Sequence, residues 1–143
     1  MRTVLIAQRD GAFAERLAAE LRHASHGATI CPGPLRRTAR CTQCSPGYCP
    51  LTEDAGVVIW DPGLRAFAAD GESHILAVES ALAHPQVKIL LTWSQASVPD
   101  VGTLRSIRAQ VPWVHVAAHE PAALPGQIQS SAHRCVRSGE VIP

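Results

Sequence analysis

The sequence predicts an α/β domain with a doubly wound, five-stranded parallel sheet. The chain has 143 residues, of which 46% are hydrophobic, and this favours one domain, spanning residues 1–143, with a substantial core. Short, continuous apolar runs are typical of strands that are buried on both faces of a sheet. Between these runs, apolar residues recur every three or four positions, as they do in amphipathic helices. Strands that alternate with helices form parallel sheets through right-handed crossovers.

The first half of the chain supplies three of the five predicted strands. Thr3–Ala7 (TVLIA) is the first apolar run, and Asp10 can cap the helix predicted over Gly11–Ala24. Ala28–Cys31 predicts a short second strand, and Gly56–Trp60 (GVVIW) predicts a buried third strand that the turn residues Asp61-Pro62-Gly63 close.

The second half alternates regularly between helices and strands. A helix is predicted over Ser73–Ala83, and Val87–Thr92 (VKILLT) predicts the fourth strand. Asp100 opens another amphipathic helix, and Trp113–Ala118 predicts the fifth strand. The last helix is predicted from apolar residues at four-residue spacing, namely Leu124, Ile128, Ala132 and Val136.

Charge and hydropathy argue against several classes of function. The formal net charge is +1 with both signs interleaved, so no nucleic-acid or acidic-membrane partner is expected. The apolar run near the start of the chain is too short for a signal peptide, and none is long enough to span a membrane. We therefore expect a cytoplasmic protein, in a compartment where clustered cysteines are more often metal ligands or redox groups than disulfides.

Residues 32–54 interrupt the alternation and are predicted to form an irregular, cysteine-rich insertion in place of the second helix. Cys41 and Cys44 form a CxxC pair, which is the two-ligand hook of many metal sites. Four thiolates can bind Zn²⁺ tetrahedrally or hold an iron–sulfur cluster, and the sequence leaves both open. Bound metal could fold a loop that is too polar and too broken to fold by apolar burial. The four predicted metal ligands are Cys31, Cys41, Cys44 and Cys49.

Other interpretations of the cysteines remain open. A thiol redox pair is one, although no helix is predicted directly after the CxxC pair. The cysteines could also be small buried residues, which is the simplest interpretation of Cys135 on the last helix. His23 or His26 could replace a cysteine as ligand, but solvated positions at the end of a helix are favoured for both.

Four stretches of the sequence resemble response-regulator receiver domains. VLIAQRDGAFAERLAAELR, GVVIWDPGL, VKILLTWSQAS and VHVAAHEP match the first, third, fourth and fifth strand ends of that family in order and spacing. The resemblance covers most of the chain and fails in residues 32–54. It implies a flavodoxin-like sheet with strand order 2-1-3-4-5 and a site at the carboxyl ends of the strands, where open α/β sheets bind their ligands.

The family's site residues are only partly present. Asp61 matches the phosphorylated aspartate, and Thr92 matches the hydroxyl residue that ends the fourth strand. The acidic pair that holds a divalent metal is replaced by Gln8 and Arg9, with Asp10 one position further on. Mg²⁺ needs carboxylate oxygens, so no magnesium site is expected, and Arg9 is expected to pair with Asp61 instead. The lysine before proline is absent, because the chain has His119-Glu-Pro there.

These departures predict a non-enzymatic pseudo-receiver that acts through protein–protein interaction and carries a cysteine-held metal or redox site. One alternative is a phospho-accepting receiver that uses Asp61, and another is a small thiol or iron–sulfur redox protein. The partner is not identified by the sequence. The resemblance implies homodimerisation through the face of the fourth helix, fifth strand and fifth helix, at about Val101–Arg137.

Overall fold

The computed structural model describes residues 3–31, 50–67, 73–117 and 119–128. In chain order its elements are β1 (Thr3–Ala7), α1 (Gly11–His23), β2 (Gly27–Ile30), α2 (Pro50–Asp54), β3 (Val57–Trp60), β4 (Arg65–Phe67), β5 (Ser73–Ile75), α3 (Leu76–Ala83), β6 (Lys88–Leu91), α4 (Val101–Gln110) and β7 (His115–Val116). Short 3₁₀ turns cover Gln95–Ser97 and Pro121–Ala123, and residues 124–128 are helical.

The main sheet has five parallel strands in the order β2-β1-β3-β6-β7. The last two strands of this sheet are numbered β6 and β7 because β4 and β5 form a separate antiparallel hairpin. Counted within the main sheet alone, the order is 2-1-3-4-5, so the predicted doubly wound, flavodoxin-like fold is confirmed. The order reverses beside β1, and the carboxyl ends of β1, β3 and β6 therefore meet at one edge.

The sheet separates two hydrophobic cores, because successive side chains of a strand point to opposite faces. Val4 and Ile6 of β1 pack on the side of α1, with Leu17 and Leu21 of that helix. The opposite face of the sheet packs against α3 and α4 and includes Leu5, Val58, Trp60, Ile89 and Ile107. All of these side chains are almost fully buried, and this holds the strand ends in place.

Several element boundaries differ from the predictions. The helix predicted over Ser73–Ala83 begins at Leu76, because Ser73–Ile75 pairs with Arg65–Phe67 in the hairpin. The described part of the fifth strand is shorter than the predicted Trp113–Ala118, because β7 covers His115–Val116 and Ala118 lies outside the described residues. Of the residues predicted for the last helix, Ala132 and Val136 lie outside the described residues.

The segment predicted to be irregular ends in a short helix. Pro50–Asp54 form α2, while residues 32–49 lie outside the described part of the chain. The carboxylate of Glu53 in α2 forms a 2.6 Å hydrogen bond with Nδ1 of His84, which is fully buried at the end of α3. Gln86 donates to the same carboxylate at 3.3 Å. These contacts hold α2 against the end of α3.

Within the described residues, no helix is long and apolar enough to cross a membrane.

Candidate functional site

Asp61 lies directly after β3, fully buried at the carboxyl edge of the sheet. Its Oδ2 accepts hydrogen bonds from the backbone N–H of Arg9 at 3.1 Å and from Arg9 Nε at 2.9 Å. Its Oδ1 accepts from Arg9 Nη2 at 3.1 Å and from the backbone N–H of Gly63 at 2.9 Å. These four bonds fill the acceptor positions of both carboxylate oxygens.

Arg9 pairs with Asp61 in the bidentate geometry that guanidinium groups favour with carboxylates. Its Nη2 also donates to the backbone carbonyl of Ser97, in the 3₁₀ turn after β6. The arginine therefore links the end of β1, the end of β3 and the loop after β6. The Arg9 side chain is 36% exposed while Asp61 is 0% exposed, so one end of the pair faces water.

Gly63 provides the space that the guanidinium occupies. A Cβ atom at position 63 would lie 2.2 Å from Arg9 Cζ and 2.3 Å from Arg9 Nη2, far inside van der Waals contact. A side chain at position 63 would therefore displace the guanidinium of Arg9 from Asp61.

Gln8 lies at the other position of the family's acidic pair and is fully buried. Its Nε2 donates to the backbone carbonyl of Thr92 at 3.2 Å, which joins the end of β1 to the end of β6. Its Oε1 is buried and has no hydrogen-bond partner among the described residues. The glutamine thus forms a direct link between strands at the position where receivers have a carboxylate.

Asp10 caps α1 and does not turn toward Asp61. Its Oδ1 accepts from the backbone N–H of Phe13 at 3.2 Å, and its Oδ2 accepts from the hydroxyl of Ser94 at 2.8 Å. The Ser94 hydroxyl and then the Phe13 N–H lower the pKa of Asp10 below its usual value. Because the pKa of Asp10 is lower in the folded than in the unfolded chain, ionised Asp10 stabilises the fold at any pH above the unfolded-state pKa. This stabilisation is lost as the pH falls through the folded-state pKa.

Thr92 and His119 meet at the same edge. Thr92 is fully buried, and its Oγ1 lies 3.0 Å from Nδ1 of His119, within hydrogen-bond distance. The imidazole also packs on Trp93, with ring centroids 4.3 Å apart and planes tilted by 45°. The hydroxyl that receivers keep at the end of this strand thus has an imidazole neighbour.

Except for Asp10, the sequence-predicted edge residues contact one another in two groups. Arg9 contacts Asp61, and Gln8 contacts Thr92, which in turn contacts His119. Three residues that complete these contacts were not predicted to take part in them, namely Gly63, Ser94 and Trp93. The Asp61-Pro-Gly motif indicated a turn at Gly63, but no pattern in the sequence indicates the contacts of Ser94 or Trp93.

A magnesium ion does not fit this arrangement. Both oxygens of Asp61 are occupied by Arg9 and Gly63, and each oxygen of Asp10 already accepts one hydrogen bond, from Phe13 or from Ser94. The guanidinium occupies the space beside Asp61 where a cation would bind. Among the described residues, no group of three or more histidine, cysteine, aspartate or glutamate side chains could hold a metal ion.

Of the four predicted cysteine ligands, only Cys31 lies in the described part of the chain. It follows β2, and its backbone N–H donates to Ile6 at 2.8 Å. Its side chain is 3% exposed and belongs to the same core cluster as Trp60. Cys41, Cys44 and Cys49 lie outside the described residues, as does Cys135. His23 is exposed, as predicted, but the solvated position predicted for His26 is wrong. His26 is buried, and neither of its ring nitrogens has a hydrogen-bond partner among the described residues.

Comparison with known proteins identifies the fold. No family model and no curated protein sequence matches the chain. A CheY-like response regulator receiver domain protein from Methanospirillum hungatei matches with a TM-score of 0.62 and 14% identity, over 96% of this chain and 98% of that one. The BeF3-activated receiver domain of DrrB matches with a TM-score of 0.59 and 10% identity, over 93% of this chain and 98% of that one.

NtrX from Brucella abortus matches with a TM-score of 0.66 and 13% identity, over 98% of this chain. The chain spans 29% of the length of NtrX, so the match concerns one part of that protein. Identities this low establish the fold alone. By its sheet order and by these matches, the chain has the fold of a CheY-like receiver domain.

Proposed function

We propose that this chain is a pseudo-receiver, a signalling domain that acts through protein contacts and does not transfer a phosphoryl group to Asp61. The observation that carries the proposal is the set of four hydrogen bonds that Asp61 accepts from Arg9 and Gly63.

The chemistry of phosphoryl transfer argues for this proposal. A carboxylate that attacks phosphorus needs an accessible lone pair, and a divalent metal must offset the charge on the transferring oxygens. Here the guanidinium of Arg9 occupies the carboxylate lone pairs and repels a metal cation from the same position. Asp61 is also fully buried, so a phosphoryl donor can reach it only if Arg9 moves away.

The ion pair between Arg9 and Asp61 also favours a single arrangement of the carboxyl edge of the sheet. Arg9 joins β1 to Asp61 after β3 and to Ser97 in the loop that precedes α4, and Gln8 joins β1 to Thr92. These hydrogen bonds set the conformation of the edge without a covalent change at Asp61. Signalling by such a domain therefore depends on the partners that bind its surface.

For the contact surface, we propose α4 and β7, including a homodimer through this face. Three large apolar side chains are exposed in these elements and in the segment between them, with Val101 at 64%, Trp113 at 49% and Val116 at 47%. Exposed apolar groups of this kind are typical of protein-binding surfaces. The proposed face extends to Arg137 in the sequence, and residues 129–143 lie outside the described part of the chain.

Acetyl phosphate with Mg²⁺ tests the proposal. We expect the intact mass of the wild-type chain to stay unchanged, and its sedimentation coefficient to be the same with and without treatment. The matched variants are Asp61→Asn, which lacks the acceptor, and Arg9→Asp, which restores a carboxylate beside Asp61. We expect Mg²⁺ to raise the melting temperature of Arg9→Asp and to leave that of the wild type unchanged, because only the variant offers a pair of carboxylates.

One result would overturn the proposal in favour of a phospho-accepting receiver. That result is a gain of one phosphoryl mass by the wild-type chain that requires Mg²⁺ and is lost in Asp61→Asn.

We also propose that Cys31, Cys41, Cys44 and Cys49 form a metal or redox site that folds residues 32–49. The support is the CxxC spacing and the position of Cys31 beside β1, on the same core as α3. Anaerobically purified protein is expected to contain about one zinc ion, or iron with acid-labile sulfide, per chain. Protein without metal, and with an unchanged melting temperature in Cys41→Ser/Cys44→Ser, would reject the metal site.

A further inference from the structure

A cavity of about 450 Å³ lies beside the carboxyl edge and takes no part in the contacts of Asp61. It is bounded by the first turns of α1, by the residues after β6 and by the residues after β7. Its size is within the range of about 300–1,000 Å³ that is usual for small-molecule sites.

Aromatic side chains from three separate elements line this cavity. Phe13 comes from α1, Trp93 follows β6, and His119 follows β7 and packs on Trp93. Phe13 is only 2% exposed, so the rings that a ligand can stack against are those of Trp93 and His119. Two adjacent rings of this kind favour a flat ligand.

The charges around the cavity favour a cation. Asp10 and Glu120 contribute two carboxylates and Arg16 contributes one guanidinium, so the carboxylates of the lining outnumber its guanidinium by one. Asp10 is held in place by Phe13 and Ser94. The guanidinium of Arg16 lies over the ring of Phe13, 5.7 Å from its centroid, and covers the aromatic face on that side of the cavity.

Trp93 also lines a second cavity, of about 420 Å³, between α4 and β7. The two cavities therefore share one side chain as a wall. A ligand that moves Trp93 in the first cavity changes the shape of the second, whose lining includes Val116 of the proposed protein-binding face.

We propose that the cavity formed by α1, Trp93 and His119 binds a small, planar aromatic cation, and that Trp93 transmits its occupancy to the groove between α4 and β7. The binding step stands independently of the proposed function, whereas the transmission step rests on it, because it takes that groove as part of the signalling surface.

The test uses three compounds that share a phenyl ring and differ in charge, namely benzamidine, benzamide and benzoate. In NMR titrations of the full chain, benzamidine is expected to shift the amides of Phe13 and Glu120 and the indole of Trp93, with a Kd of about 1 mM, as is usual for so small a molecule. Benzoate is expected to bind at least about ten-fold more weakly, since a carboxylate meets Asp10 and Glu120. The amides of Arg108 and Val116 should shift with the same midpoint.

Exposed residues supply the matched variants. Glu120→Gln should weaken benzamidine binding about three-fold, and Arg16→Ala should strengthen it, because each removes one charge of the lining. Glu15→Gln, on α1 but outside the lining, should change nothing. Equal affinities for the three compounds, or shifts elsewhere only, would overturn the site. Chemical-shift changes confined to residues of the cavity, with the amides of Arg108 and Val116 unchanged, would overturn the transmission step alone. This outcome does not depend on the result of the acetyl phosphate experiment.

Discussion

Replacing Arg9 by methionine is expected to lower the free energy of unfolding by about 2 kcal/mol. The substitution removes the two charged hydrogen bonds to Asp61 and leaves a fully buried carboxylate with only the backbone N–H groups of residues 9 and 63. Breaking a fully buried ion pair costs about 3–5 kcal/mol. We expect less here because Arg9 is 36% exposed, so water can reach part of the space that it leaves.

A double-mutant cycle with Asp61→Asn separates the ion pair from other effects of the two side chains. Asp61→Asn in the wild-type chain leaves the guanidinium without its carboxylate, whereas in Arg9→Met there is no longer a cation to leave unpaired. We expect the cost of Asp61→Asn to be about 1–2 kcal/mol smaller in the Arg9→Met background, as is typical of directly contacting residues. Urea denaturation of the four proteins measures this coupling.

Arg105→Met is the matched control, since Arg105 is exposed on α4 and the same side-chain change is made there. It should alter stability by no more than about 0.5 kcal/mol. In Arg9→Met, amide hydrogen exchange should also accelerate in the turn Gln95–Ser97, because the bond to the Ser97 carbonyl is lost. Additive effects of Arg9→Met and Asp61→Asn, or exchange as slow as in the wild type, would show that the arginine does not hold this edge together.

The fold of this chain follows from its sequence because the strands are buried on both faces. Runs such as Thr3–Ala7 and Val57–Trp60 contain no polar residue after Thr3, so only a sheet covered on both sides accommodates them. Once the sheet is parallel and doubly wound, the residues after β1, β3 and β6 must meet at one edge. The proximity of Arg9, Asp61 and Thr92 is a consequence of topology and was therefore predictable.

The contacts that were not predicted from the sequence are made by loops and by very short strands. Arg65–Phe67 and Ser73–Ile75 are three-residue strands, too short for an alternating pattern to be recognised, and their pairing moves the start of α3. Ser94 and Trp93 follow β6 in a segment without periodicity, and the direction of their side chains depends on the loop backbone. Such contacts are decided by tertiary packing, which local sequence patterns do not record.

Gly63 was predicted as part of a turn, but the structure gives it a second role. The three heavy atoms nearest to a Cβ at position 63 all belong to the guanidinium of Arg9. Alanine at this position would keep both charges of the ion pair and the backbone bond from residue 63 to Asp61. It would act only by displacing the guanidinium. The substitution therefore separates the position of Arg9 from its charge.

Gly63→Ala is expected to destabilise the fold when residue 9 is arginine and to stabilise it when residue 9 is alanine. In the wild-type chain it should cost about 1–2 kcal/mol, since the guanidinium must leave Asp61 and loses most of its charged hydrogen bonds. In Arg9→Ala the obstacle is absent and the backbone of residue 63 is outside the left-handed region. Alanine should then stabilise the fold by about 0.4–1 kcal/mol, because it restricts the unfolded chain more than glycine does. Thermal and urea unfolding of the four proteins measure both signs. An equal cost in both backgrounds would mean that the turn itself requires glycine, and that the close approach of Arg9 is not the reason for it.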